Sequence, residues 1–260
     1  MARVILTTCG TSLYNSSCWS WGKLNEKPIS GTSDRIELRK RQIECERAII
    51  SAKNQDSTGV GFTNTFDMTS WNTLSRLRDL PAELASLKAI KMYLENPAIN
   101  QPLTSEDKII LLHSENSNKD IDGRFCADML KEVITKKNLL SPVAPANIET
   151  KVIENLDPAN RDKFSNALNE VWHYARTLQS EGNSIILNLT GGYKALAILL
   201  GAFGRQFQGI PMFYLHEEAG YDQIFMMKFE NGNINGNIVF SYYNANTNNI
   251  FVIKESVGGL

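Results

Sequence analysis

Over most of its length the chain alternates short apolar runs with longer stretches whose apolar positions recur at helical spacing. The clearest run is Ile185-Ile186-Leu187-Asn188-Leu189, followed by Thr190-Gly191-Gly192-Tyr193-Lys194 and then by the Ala/Leu-rich segment 195–200. This pattern predicts a buried strand that turns directly into a helix. The opening segment, Arg3-Val4-Ile5-Leu6-Thr7-Thr8 followed by Cys9-Gly10-Thr11-Ser12-Leu13, has the same grammar. Further strands are predicted at 108–113, 148–153, 184–189 and 212–215. Helices are predicted at 81–95, where Pro81 suits the first turn, at 123–136 with Phe125, Met129 and Val133 on one face, at 160–179 and at 193–207. Strands alternating with helices predict an α/β fold, a Rossmann-like open, mostly parallel sheet with helices on both faces.

Two stretches depart from that alternation. Residues 14–80 form an insertion after the first strand: it opens with Trp19 and Trp21, offers Ser33-Asp34 as a helix cap, and places Ile36, Ile43 and Ile50 every seventh residue along a helix at 35–53. Such a stripe suits a helix lying on its own domain or a partner-binding seam. Residues 54–72, rich in Gly, Thr and Asn, read as a loop, and long loops in compact domains commonly cover ligands. The second departure is a β-rich extension at about 221–255, with strands at 223–229, 236–243 and 249–253. Asn231-Gly232 and the Asn-rich segment 244–248 supply turns, which predicts a terminal antiparallel meander. The whole chain, 1–260, is expected to form a single domain carrying these two additions.

Composition narrows the function classes. Residues of 42% apolar and 21% charged character over 260 positions describe an ordinary globular chain. A formal net charge of −1 argues against broad electrostatic capture of long nucleic acid, because that attraction scales with the phosphates neutralised by Lys and Arg. A small anion in a local pocket remains compatible. Cys9, Cys18, Cys45 and Cys126 show no C-x-x-C spacing, and a reducing cytoplasm is the expected setting. The longest apolar stretch, 195–203, is shorter than the roughly 18 residues a membrane span needs, so no membrane partner is expected.

The two glycine-bearing loops are the candidate chemistry. Adjacent glycines let another molecule approach without meeting a Cβ, and the first turn of a following helix offers unpaired N–H groups and partial positive charge, which suits a phosphate. Thr190 adds a hydroxyl and Lys194 a full charge. The same residues also suit a tight strand-to-helix connection with its lysine in water, and taken alone the segment does not separate the two. In an open parallel sheet, loops after different strands converge where strand order reverses, so the Gly10 loop and the Gly191-Gly192 loop can share a site. No metal is expected: His113, His173 and His216 are isolated. No resident cofactor is expected either, since neither G-x-G-x-x-G nor G-x-x-x-x-G-K-[ST] occurs. Cys9 reads as a buried inert thiol, with no base beside it in sequence.

The pair Thr8-Cys9-Gly10-Thr11-Ser12-Leu13 and Asn188-Leu189-Thr190-Gly191-Gly192-Tyr193-Lys194 resembles the signature loops of CRISPR-associated Rossmann-fold (CARF) domains, in particular the stand-alone ring nucleases. Pro81-Ala82-Glu83-Leu84-Ala85-Ser86-Leu87 is similar to that group's Ser-Ala-Glu-Ile-x-Ser-Leu helix start. Leu111-Leu112-His113-Ser114-Glu115-Asn116 is similar to its Leu-Leu-x-Ser-Asp-Thr strand end, with Glu115-Asn116 in place of Asp-Thr. The resemblance implies a homodimer whose loops surround a cyclic oligoadenylate, with cyclic tetraadenylate the expected ring. It further implies metal-independent cleavage in which Ser12 and Lys194 assist attack of a ribose 2′-hydroxyl on the neighbouring phosphorus. By the same resemblance Gly10, Thr11, His113, Ser114, Asn116, Thr190, Gly191, Gly192 and Tyr193 are the expected ligand-binding residues. The alternative is a non-catalytic sensor, a CARF module of an effector or transcription regulator; a third possibility is a small-molecule Rossmann-like enzyme unrelated to CRISPR systems.

Overall fold

The computed structural model describes residues 2–10, 12–15, 66–115, 123–156, 160–192, 194–207, 209–215, 223–230 and 237–256. The strands are β1 (Arg3–Thr8), β2 (Lys108–Glu115), β3 (Ile148–Glu154), β4 (Ser184–Asn188), β5 (Met212–Leu215), β6 (Gln223–Glu230), β7 (Asn237–Asn244) and β8 (Asn249–Ser256). The helices are α1 (Met68–Asn72), α2 (Ala82–Glu95), α3 (Gly123–Lys136), α4 (Arg161–Ser180) and α5 (Lys194–Gln206). All strands join one 8-stranded sheet in the order β3-β2-β1-β4-β5-β6-β7-β8. β1 to β5 pair in parallel, and β6 to β8 continue the same sheet antiparallel. The expected α/β architecture is therefore present, with the tail extending the main sheet.

Side-chain alternation along the strands explains the layers. Ile5 and Cys9 face a core completed by Leu84, Leu87 and Ile90 of α2 and by Cys126, Leu130 and Val133 of α3. Val4 and Leu6 face the opposite core, built with Ala167, Val171 and Ala175 of α4 and Leu196, Leu200 and Phe203 of α5. Helices thus cover both faces of the parallel strands, as a sheet buried on both sides requires. In the tail, Ile224, Met226 and Tyr243 turn inward, while Phe225, Tyr242 and Phe251 stand in register on the other face, ring to ring at 5.4 and 5.8 Å.

The strand order places the site. β1 lies between β2 and β4: the chain winds outward from β1 through β2 to β3, then crosses to the other side of β1 to begin β4. The loops following β1 and β4 leave the same sheet end at this reversal, where open α/β sheets bind ligands. At the opposite end Arg3 clamps the sheet, its Nε and backbone N–H each 3.1 Å from Asp107 Oδ1.

Part of the insertion differs from the sequence expectation. Within the stretch expected to be loop, Met68–Asn72 is helical, because the Asp67 side chain caps it by accepting from the Thr69 N–H at 2.8 Å and because Trp71 is buried. The predicted helix at 35–53, the Trp19 and Trp21 segment and residues 54–65 of the expected covering loop lie outside the described residues.

Lys88 of α2 is 8% exposed, with its ammonium 5.3 Å from the centroid of the Trp71 ring. Burial lowers its pKa to about 8. A charge withdrawn from water opposes folding, so stability rises as the pH is raised from about 8 towards 10.5, because over that interval the unfolded chain holds a proton the folded chain has released. Lys88→Met is expected to stabilise the protein at pH 7 by up to about 3 kcal/mol, and to flatten the rise above pH 8. Thermal melts of both chains across that interval check it: an unchanged or lowered melting temperature for Lys88→Met at pH 7 contradicts the expectation.

Candidate functional site

The loops after β1 and β4 touch backbone to backbone. A Cβ placed on Gly10 would stand 3.0 Å from both the Cα and the N of Gly192, and one placed on Gly192 would stand 3.2 Å from the N and the O of Cys9. Gly192 has a φ of +80°, a conformation that favours glycine. A Cβ at either position would push the facing backbone away by a few tenths of an ångström, which accounts for glycine in both loops. The Thr8 hydroxyl reinforces it by donating to the Gly191 carbonyl.

Beyond this contact the loops carry the expected chemical groups. Ser12, partly buried, begins a 3-10 turn at Ser12–Asn15. Lys194 is exposed and is the first residue of α5, where the helix N-terminus adds partial positive charge beside the ammonium. Thr190 is otherwise engaged: its hydroxyl accepts from the Leu215 N–H at 3.0 Å, tying the loop to the end of β5.

Glu83, which was not among the expected site residues, joins the two loops. It lies in the first turn of α2 and is 0% exposed. Its Oε1 accepts from the Gly10 N–H at 2.8 Å, and its Oε2 accepts from the Ser12 hydroxyl. Ser12 Oγ in turn accepts from the Ala82 N–H at 3.1 Å. On the β4 side, a Cβ on Gly191 would lie 2.8 Å from the Glu83 carboxyl carbon. Ser86, one turn further along α2, accepts at its Oγ from the Asn188 Nδ2 at 2.8 Å. The first turns of α2 therefore key into both loops at once. The signal in the sequence was an acid placed in an otherwise apolar helix start, Ala82-Glu83-Leu84-Ala85. Its partners were not visible there.

The other expected residues fall differently. His113 and Ser114, at the carboxyl end of β2, are 3% and 4% exposed. His113 Nδ1 lies 3.3 Å from the Ser114 carbonyl oxygen, and a Cβ on Gly123 would lie 3.1 Å from Ser114 Oγ. Both are closed in by their own surroundings and offer a ligand little surface. Thr11, Asn116, Tyr193 and His216 lie outside the described residues, and His173 is exposed on α4. Cys9 is buried; burial, with the Glu83 carboxylate and Cys126 adding to it, pushes its thiol well above the usual range. Such a shift favours the protonated thiol, which is a weak nucleophile. Among the described residues, no group of three or more His, Cys, Asp or Glu side chains is placed to hold a metal ion.

Residues 79–227 match the family model of the CRISPR-associated protein (Cas_APE2256). The chain belongs to that family. No curated protein matches it. The Cas_APE2256 match includes α2 with Glu83 and the β4 loop with Lys194, and stops short of the Gly10 and Ser12 loop. The hydrogen bonds from Gly10 and Ser12 to Glu83 thus attach the β1 loop to the part of the chain that carries the family pattern. The described residues contain no helix long and apolar enough to cross a membrane.

Proposed function

We propose that this Cas_APE2256-family chain binds a cyclic oligoadenylate, with the tetraadenylate as the expected ring, and cleaves it without a metal ion to switch off type III CRISPR signalling. The observation that carries the reading is the close approach of Gly10 and Gly192 at the strand-order reversal. It sets a hydroxyl and an ammonium each two residues beyond one backbone contact, at a helix N-terminus suited to phosphate. In this reading, as the family resemblance implies, a second copy brings a second set of loops, so that two sets surround the ring.

In the proposed step a ribose 2′-oxygen bonds to the adjacent phosphorus while the P–O5′ bond breaks. The products are a 2′,3′-cyclic phosphate and a 5′-hydroxyl, and the proton lost by the 2′-oxygen balances the one gained by the 5′-oxygen. Holding the attacking oxygen in line with the leaving oxygen lowers the entropic part of the barrier. Lys194 and the α5 amides place positive charge where the phosphorane develops negative charge.

The test is incubation of the purified protein with cyclic tetra- and hexaadenylate in EDTA, followed by chromatography. The expected result is linear product ending in a 2′,3′-cyclic phosphate. Absence of binding to either ring overturns the proposal, and tight binding with the ring intact moves the assignment to a non-catalytic sensor.

A further inference from the structure

Glu83 is a fully enclosed acid beside a loop pair read as an anion site, and that placement has a cost. A carboxylate there repels phosphate, whereas glutamine would fill the same space without the charge. The hydrogen bonds show what the carboxylate does instead. A serine hydroxyl has one proton to donate and two lone pairs to accept with. The Ser12 proton goes to Glu83 Oε2, and one lone pair takes the Ala82 N–H at 3.1 Å. What remains for a ligand is the second lone pair.

The geometry points to Glu83 as a positioning residue that makes Ser12 a hydrogen-bond acceptor towards the ligand, so that Ser12 holds a ribose hydroxyl and not a phosphate oxygen. This deepens the cyclic oligoadenylate reading and rests on it. The Gly10 N–H, which donates to Glu83 Oε1 at 2.8 Å, is likewise unavailable to phosphate, leaving phosphate to Lys194 and the start of α5. Ser12 then bonds the 2′-hydroxyl and fixes which oxygen attacks. As that oxygen bonds to phosphorus, its proton passes to Ser12 Oγ, and the proton already on Ser12 passes to Glu83 Oε2. The electron pair of the breaking P–O5′ bond stays on the 5′-oxygen, which takes a proton from the Lys194 ammonium. Once the product has left, the carboxyl proton returns through the Ser12 hydroxyl to solvent, and the lysine amine takes a proton from solvent, restoring both starting charges.

The experiment compares the full-length wild type with Glu83→Gln, Ser12→Ala and the double variant, using the ring that the wild type cleaves and measuring affinity and single-turnover cleavage separately. Glu83→Gln is expected to bind the ring as tightly as the wild type or more tightly, since a repulsive charge is gone, and to cleave about 100-fold more slowly. Adding it to Ser12→Ala is expected to cost nothing further, because Glu83 acts through Ser12. A purely structural role would weaken binding and cleavage together, and losses that add in the double variant would show independent action; either result overturns the inference. If Glu83→Gln does not fold, Ser12→Ala alone carries the test: it must keep binding and lose cleavage, and a chain that keeps both overturns the inference. Wild-type cleavage matched by a folded Glu83→Gln chain overturns this inference alone. A wild type that leaves every ring intact overturns the cleavage reading and this inference together.

Discussion

Lys194→Ala is expected to keep its fold and lose ring cleavage by about 100- to 1,000-fold, the usual cost of removing one group that stabilises charge in the transition state. The fold should survive because Lys194 is exposed at the first position of α5 and contributes nothing to either core. Binding is expected to weaken far less than cleavage, since the α5 amides remain to meet the phosphate. Lys194→Arg keeps the charge but spreads it over a planar fork of donors, and is expected to recover only part of the rate. Circular dichroism melts alongside single-turnover chromatography separate these effects. A Lys194→Ala chain that cleaves as fast as the wild type removes the lysine from the mechanism, and one that melts early reassigns it to structure.

Among the described glycines, Gly191→Ala is expected to be the most damaging substitution. Its Cβ would stand 2.6 Å from the Thr8 backbone oxygen and 2.8 Å from the carboxyl carbon of Glu83. Neither neighbour yields cheaply: one is strand backbone, and the other is held by Gly10 and Ser12. The two loops must part, at a cost of about 2 kcal/mol or more, and the separation displaces Ser12 from Lys194. Loss of cleavage is expected to exceed what the loss of stability explains, because errors of about 1 Å in a reacting geometry cost about 100-fold in rate. Gly201→Ala, in the same helix that Lys194 begins, is the control: its Cβ would meet nothing within 4 Å, and alanine is favoured over glycine within a helix by about 1 kcal/mol. A higher melting temperature for Gly201→Ala beside a lower one for Gly191→Ala is the expected pair of results. Equal melting temperatures for Gly191→Ala and the wild type contradict the packing argument.

The elements were legible in the sequence because their causes are local. An apolar run closed by Thr190-Gly191-Gly192 announced β4 and the start of α5, and Asn-rich turns between apolar strands announced the antiparallel tail. The short helix Met68–Asn72 was missed because its cap and a single buried tryptophan leave too few residues to show a period. His113 was expected among the ligand-binding residues through the family resemblance; its burial depends on neighbours that the strand itself does not specify.

The class of fold, the two glycine loops, the residue types they carry and the family pattern over 79–227 can be read along the chain. The first three rest on spacing within a few tens of residues, the range over which helical and strand periodicity act. Only the tertiary structure decided that a helix-start acid binds the Gly10 amide and the Ser12 hydroxyl, partners 73 and 71 positions away. It also decided that Ser12 has a single lone pair left. Contacts of that range are set by strand order and by how helices pack on the sheet. A buried carboxylate takes its partners from whatever that packing brings within hydrogen-bond reach.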